Sequence, residues 1–502
     1  MKDGKLRIVI TSSEMVPLAK VGGLADVIGA LSQSLGRMGH EVTVFLPGFS
    51  SIPEKYRGET LLDGELEFQW GREKVTLREA RLKNQGVRVI LVENDNFFKR
   101  DGVYTDPSTG EEFKDNARRF LFFSVAAVEA VRILGLKPDV LHINDNQTAP
   151  VAPFLKTRFG GDPTLSNIPV LYTIHNLGYQ GVYPGEVFND FGISRDLFYP
   201  MGPFEFFGNV NFMKAGIWYS DLISTVSKRY AEEIQTSEEF GYGLQGVLKA
   251  RSADVYGIVN GVDYSIWDPR NDKLIPVNYG KDTLEDKKKN KSALLKRCGF
   301  NARQTRRFLL GMVTRLADQK GLDLIEQAST ELMKLDISLV VLGTGQKKYH
   351  EFFTKLMAKY PRWIYAEFSF DDPLAHLIEA GADAFLMPSK YEPCGLNQIY
   401  SMRYGTVPIV RAVGGLYDTV KEFNEKDWSG TGFTFSDYTP EALLACVRKA
   451  FACHENPKLW RKLMLNGMSE DFSWEKAARE YLALYRKAIT KKSVRENCLA
   501  GK

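Results

Sequence analysis

RIVITSSEMVPLAKVGGLADVIGALSQSLGRMGHEVTVFLP, residues 7–47, carries the signal that decides the fold. RIVIT and EVTVFLP are short apolar runs rich in β-branched residues, as buried strands require. Between them Val27, Leu31, Leu35 and Met38 recur at helical spacing, so the segment predicts strand, helix, strand. Gly22 and Gly23 stand just before that helix, where backbone N–H groups can approach an anionic ligand at the positive end of the helix dipole. Lys20 adds a mobile charge at the same place. A glycine turn with a surface lysine is the plainer reading of the same residues.

The alternation continues along the chain. VRVILVE (87–93), DVLHIND (139–145), PVLYTIHN (169–176) and DLISTVS (221–227) read as further strands. It pauses over 264–291, where Pro, Asn, Asp, Gly and Lys show little apolar period. It resumes with FLLGMVTRL (308–316), SLVVLGTG (338–345), WIYAEFSF (363–370), DAFLMPS (383–389) and VPIVRAV (407–413). Continuous apolar strands separated by helices imply parallel sheets covered on both faces. The expected class is α/β, with two doubly wound Rossmann-like domains. The expected division is 1–270, a linker at 271–294, a second domain at 295–475, and a final helix and tail at 476–502. In that final helix Ala478, Tyr481, Leu482 and Tyr485 share one side. Ligands of such sheets bind beyond the carboxyl ends of the strands, so a cleft shared by the two domains is expected.

Composition bounds the function. A net charge of +4 over 502 residues gives no reason for a nucleic-acid partner. The densest basic run, Lys287, Lys288, Lys289 and Lys291, reads as a solvated helix start. No apolar run is long enough for a membrane span, and no signal-peptide core follows MKDGKLRIVI. The five cysteines have no metal-site spacing and fit a reducing compartment. A cytoplasmic setting follows, or the plastid stroma if a transit peptide has been removed.

The polar residues at strand ends are the chemical candidates. Asp145 closes DVLHIND, and His175 with Asn176 closes PVLYTIHN. Arg315 lies just beyond a strand and Lys320 five residues later, a spacing that suits a diphosphate or merely a charged loop. Gly343 and Gly345 form a glycine turn after another strand, without the lysine spacing of an ATPase loop. Glu392 and Pro393 sit at the mouth of a helix, followed by Cys394, Gly395 and Leu396. GYGLQG (241–246) matches the dinucleotide fingerprint literally, but polar and acidic IQTSEEF replaces the strand that pattern needs, so a flexible loop is expected there. No D-x-D triplet is present to hold a divalent ion.

Taken together, KVGGLADV, TIHNLGYQG (173–181), EFGYGLQGVL (239–248), NGVDYSIWDP (260–269), TRLADQKGLDL, PSKYEPCGLNQIYSMRYGTVPIV and GGLYDTV resemble the bacterial glycogen synthases and plant starch synthases, family five of the glycosyltransferases. The resemblance implies a GT-B fold whose last helix returns to the first domain. It implies retaining transfer of glucose from ADP-glucose to the non-reducing 4-OH of an α-1,4-glucan or maltooligosaccharide primer, with no metal or other cofactor. Carried over by position, it makes Lys20 a donor-binding lysine, Arg315 and Lys320 the diphosphate cations, and His175 the neighbour of the glucosyl 6-OH. Glu392 would face the transferred glucose, with Cys394, Gly395 and Leu396 offering N–H groups to the phosphates. Asp145, Asn176 and Asn260 would line the sugar pocket, and Phe370 would stack on the adenine. Asn144, Asn146, Lys390 and Tyr391 depart from the family pattern. Two other readings stay open: a GT-B transferase using UDP-glucose, and a catalytically weak glucan-binding relative.

Overall fold

The computed structural model describes residues 4–82, 86–301 and 305–500. The last two residues of the expected tail, 501 and 502, lie outside them. The chain forms two compact units. One comprises Met1–Val226, Ala231–Gly261 and Trp474–Lys502, and the other Ser227–Tyr230 and Val262–Ser473.

The first unit is built on one nine-stranded sheet. Its strands are β1 (Arg7–Thr11), β2 (Glu41–Pro47), β3 (Arg57–Phe68), β4 (Gly71–Ala80), β5 (Val87–Glu93), β6 (Val140–Asn144) and β7 (Val170–Ile174). After the small strands β8 (Val182–Tyr183), β9 (Glu205–Phe206) and β10 (Asn209–Asn211) come β11 (Leu222–Thr225) and β12 (Val255–Gly257). The spatial order is β12-β11-β7-β6-β1-β2-β5-β4-β3. From β12 to β5 every pairing is parallel; β4 runs antiparallel to both β5 and β3. That hairpin was not expected. Its residues, RGETLLDGELEF and GREKVTLREA, are rich in charge and nearly all exposed or half-buried, so no continuous apolar run marks it. The charge also suits an edge that must not pair with other chains.

The helix Gly23–Arg37 buries Leu24, Val27, Ile28, Leu31 and Leu35. The C-terminal helix Trp474–Ala500 belongs to this unit and packs against it, burying Ala478, Tyr481, Leu482 and Tyr485. Tyr485 Oη lies 2.9 Å from His142 Nδ1, a buried pairing that fixes the helix to β6. GYGLQG is no flexible loop. It joins two short helices, Glu238–Gly241 and Gln245–Ala250, through left-handed Tyr242 and Gly243.

The second unit holds a six-stranded parallel sheet. Its strands are β13 (Phe308–Val313), β14 (Ile337–Leu342), β15 (Ile364–Glu367), β16 (Ala384–Met387), β17 (Val407–Arg411) and β18 (Phe433–Phe435). They lie in the order β15-β14-β13-β16-β17-β18. The stretch read as a linker is packed into this unit. Ile275, Tyr279 and Leu284 form a core cluster with Ala380, Tyr404 and Met468, and Lys287–Arg297 is a helix. Polar side chains hide this packing from an apolar-period reading: Asn290 both accepts from Val277 N and donates to Val277 O. The lysine run divides accordingly. Lys288 and Lys289 are exposed and pair with Glu285 and Asp286. Lys291 is buried against Asp383, and Lys287 donates to Glu379 O, Ala380 O and Thr406 Oγ1. Burial pulls the Lys287 amine down to about 7.

Candidate active site

In each sheet one central strand is where the connections reverse direction. In the first unit β2 and β5 lie to one side of β1, with β6 and β7 on the other; in the second, β14 and β15 lie to one side of β13 and β16 to β18 on the other. The crevice beyond the carboxyl ends of such neighbouring strands is where open α/β sheets take their ligands. Most of the expected residues follow strands at or next to these two places, whereas Asn260 follows β12 and Phe370 follows β15, both edge strands.

Beyond β1, the buried carboxylate of Glu14 accepts hydrogen bonds from Val21 N at 2.6 Å and Gly22 N at 2.7 Å. Its other oxygen accepts from Tyr104 Oη at 2.7 Å. The Gly22 N–H, expected to face an anionic ligand, is thus taken by an internal carboxylate; Gly23 opens the following helix. Lys20 is not a loose charge: its Nζ lies 2.8 Å from Asp26 Oδ1 in an exposed pair.

Beyond β6, Asp145 adopts φ 55°, a left-handed conformation uncommon for a residue with a side chain. Its Oδ1 accepts from His175 N at 2.7 Å, joining the ends of β6 and β7. Burial, with a further push from the Glu14 carboxylate, raises the Asp145 carboxyl to about 7. His175 Nε2 lies 2.9 Å from Asn144 Oδ1, while Asn144 Nδ2 donates to Thr11 O at 3.1 Å. That amide orientation makes Nε2 the protonated nitrogen and leaves Nδ1 as an acceptor. Burial lowers His175 to about 3, so the ring is neutral at physiological pH. Asn176 uses its side-chain oxygen on Gly178 N at 2.9 Å. Asn260 is buried, and its Oδ1 has no hydrogen-bond partner among the described residues.

Beyond β13 and β16, Lys320 Nζ donates to Glu392 Oε2 at 2.6 Å, and Ser389 Oγ donates to the same oxygen at 3.1 Å. The lysine and glutamate side chains are only 17% and 7% exposed. Lys320, expected on a diphosphate, is therefore held by the carboxylate expected on the sugar. Arg315 Nη2 donates to Gln319 Oε1 at 3.2 Å, and Gln319 O accepts from Lys390 N at 2.8 Å, tying the two loops. Cys394 is buried, Gly395 is left-handed at φ 69°, and Leu396 caps the helix Asn397–Arg403. Gly343 and Gly345 have a packing reason that the sequence did not disclose. A Cβ on Gly343 would lie 1.8 Å from Thr314 O, and one on Gly345 2.3 Å from Leu316 O. Phe370 is 91% exposed, free to receive a flat ligand.

Sequence reasoning passed over Glu14, Tyr104 and Ser389. The signal for Glu14 was available: a lone acid in SSEM, directly after a buried strand, must find partners when it is buried. Ser389 and Tyr104 leave no such mark. Among the described residues no group of three His, Cys, Asp or Glu side chains is placed to hold a metal ion. Among the described residues no helix is long and apolar enough to cross a membrane.

Two doubly wound units are the architecture of the GT-B class, and the family matches make the chain a glycosyltransferase of that class. The family described as Starch synthase catalytic domain matches residues 7–250, and Glycosyl transferases group 1 matches residues 299–463. The glycogen synthase of Pseudothermotoga lettingae is 45% identical over 495 residues, spanning 97% of this chain and 100% of the relative. That of Koribacter versatilis is 43% identical over 483 residues, spanning 96% and 98%. Among solved structures, the catalytic domain of starch synthase IV from Arabidopsis thaliana, bound to ADP and acarbose, is similar with a TM-score of 0.87. It is 32% identical and covers 97% of this chain and 100% of its own. The chain belongs to the glycogen synthase and starch synthase family.

Proposed function

We propose that this glycosyltransferase moves glucose from ADP-glucose to the non-reducing-end 4-OH of an α-1,4-glucan, with retention of configuration. The observation that carries the reading is the buried Lys320–Glu392 pair at the β13/β16 switch point. As the C1–O bond to ADP breaks, positive charge grows on the sugar and negative charge on the diphosphate. A fixed carboxylate and a fixed ammonium 2.6 Å apart are opposite in sign to those two developing charges. Charges placed before the reaction need no reorganisation during it. In the free protein they neutralise each other, so neither is left alone in a buried place.

Arg315 adds a second cation for the diphosphate, and the N–H groups of Cys394, Gly395 and Leu396 precede a helix where phosphate oxygens are favoured. His175, neutral and with Nδ1 open as an acceptor, suits a sugar hydroxyl donor. Asp145 orders the His175 backbone. The acceptor hydroxyl attacks from the face the phosphate leaves, and the departing phosphate takes its proton. That gives retention without a nucleophilic enzyme carboxylate. With Lys320 and Arg315 meeting the diphosphate, we assign no metal to the chemistry. The starch synthase IV structure, solved with ADP and acarbose, supports a nucleotide donor and a glucan acceptor. Cys298, Cys394, Cys446 and Cys453 are buried, and a disulfide framework is not part of this reading, in keeping with a reducing cytoplasm.

The test is glucose incorporation into maltooligosaccharide from ADP-glucose and from UDP-glucose, each with and without EDTA. Transfer from ADP-glucose that EDTA leaves intact is expected. Transfer from UDP-glucose alone refutes the donor assignment, and activity abolished by EDTA and restored by manganese refutes the metal-free chemistry.

A further inference from the structure

The strands β9 and β10 are joined by a two-residue turn, Phe207–Gly208, with φ 51° and φ 82°. Positive φ at both positions is the hairpin turn that favours Asn-Gly, and a phenylalanine in the first place is unusual. Phe207 is nevertheless 83% exposed, so burial does not hold it there. A nearby residue, Met201, shares both features: φ 62° and 84% exposure. One carboxylate organises the two. Glu205 accepts from Met201 N on one oxygen and from Gly208 N on the other, each at 2.8 Å. The Glu205 carbonyl in turn accepts from buried Lys214 Nζ at 2.5 Å.

The ring is braced from behind. Phe206 meets Phe207 edge to face at 4.8 Å, and a Cβ on Gly243 would lie 2.8 Å from the Phe206 ring. The hairpin is also continuous with the strand-end site of the same unit. Tyr179, 53% exposed, donates from its N–H to Asn176 O, and its own carbonyl accepts from Asn146 Nδ2. The next residue, Gln180, donates to Tyr242 O and accepts from Asn211 Nδ2 at the end of β10.

We propose that Phe207, with Tyr179, forms a stacking platform for the α-glucan acceptor chain, away from its reacting end. This rests on the glucan-transferring function proposed above. A flat exposed ring offers its face to the C–H face of a sugar ring. The two charges that brace the hairpin, on Glu205 and Lys214, are spent on backbone partners, as suits a neutral polymer rather than a charged one. The strained turn is retained because it aims the ring outward. Asparagine would relieve the turn and remove the ring.

The experiment measures Phe207→Asn, Phe207→Ala and Phe207→Tyr beside the wild type. The readouts are retardation in native gels containing glycogen, thermal unfolding, and KM for maltotriose and maltoheptaose. Phe207→Asn is expected to unfold at a temperature no lower than wild type while glycogen retardation weakens. Its KM for maltoheptaose rises about 3- to 10-fold, what one aromatic contact is worth. The loss grows with primer length, Phe207→Ala follows it, and Phe207→Tyr keeps wild-type retardation. Variants that bind glycogen as wild type does, in an enzyme that transfers glucose normally, overturn the platform and leave the function standing. A wild type that binds glycogen through Phe207 but transfers nothing from ADP-glucose overturns the function instead. A wild type that binds no glucan overturns both.

Discussion

Asp145→Asn is the substitution for which the structure makes the sharpest demand. Asparagine is better suited than most residues to φ 55°, and its amide oxygen can still accept from His175 N, now at 2.7 Å. What changes is the charge. Burial raises the Asp145 carboxyl from 3.8 to about 7, with Glu14 adding to the effect. A raised folded-state pKa means a contribution to stability that is complete below the unfolded value and is lost as pH rises through the folded one. Wild type is therefore penalised above about pH 7 and unpenalised near pH 4. The shift corresponds to roughly 4 kcal/mol as a ceiling, and relaxation around the charge brings the expected gain to about 1–3 kcal/mol. Thermal unfolding of both proteins at pH 8 and pH 4 reads this directly: the variant gains at pH 8 and is level with wild type at pH 4. Glucose transfer should fall in the same variant, since a strained, half-buried acid at a strand end is the kind of residue retained for function at a cost in stability. A variant with the same stability difference at both pH values would refute the electrostatic account of Asp145.

The Lys320–Glu392 pair supplies a second prediction. Lys320→Met or Glu392→Gln alone should destabilise the protein by about 2–4 kcal/mol, because each leaves a buried partner uncompensated, whereas the double variant should recover much of that loss in a denaturant-melt cycle. Each single variant should also lose on the order of 10²–10³ in kcat; activity within threefold of wild type would remove both from the chemistry. Gly343→Ala places a methyl where Thr314 O lies 1.8 Å away, so it should displace the loop after β13 and weaken ADP binding measured by calorimetry. Unaltered ADP affinity with unaltered stability would show that the two loops do not depend on each other.

Strands buried on both faces were legible because they must be continuously apolar. The expected runs at 7–11, 41–47 and 87–93 coincide with β1, β2 and β5 to the residue. The β3–β4 hairpin was not, because an exposed antiparallel edge has no such requirement. The 264–291 stretch failed for a related reason. It packs through Asn290, Lys287 and Lys291, and a polar residue satisfied inside a protein looks the same in sequence as one in water. Positions beyond strand ends were readable: Asp145, His175 and Glu392 lie past the carboxyl ends of β6, β7 and β16. Their partners were not. Nothing in the spacing says that Glu14 would fold back within its own loop onto the N–H of Gly22, or that Glu392 would hold Lys320, a pairing that depends on which loops the sheet order brings together.

That dependence also separates the two switch points chemically. In the first unit Asp145 lies near a second carboxylate, Glu14, whose hydrogen bonds come from backbone N–H groups and a phenol. Such donors do not supply a full positive charge, so repulsion and burial together keep a proton on or near Asp145 close to neutral pH. In the second unit the carboxylate of Glu392 meets an ammonium at 2.6 Å, and the pair is electrically closed until a ligand with opposed charges separates its roles. Under the proposed function, the first site is thus equipped to respond to a proton and the second to a diphosphate. Proton linkage in glucose transfer between pH 6 and 8 should consequently follow Asp145. Replacing Glu14 by Gln, which removes one source of repulsion but keeps a group able to accept the same N–H donors, should move the acid limb of the rate profile to lower pH. An acid limb that stays in place when Glu14 is neutral would mean that burial alone sets the Asp145 proton, and that the two carboxylates are independent.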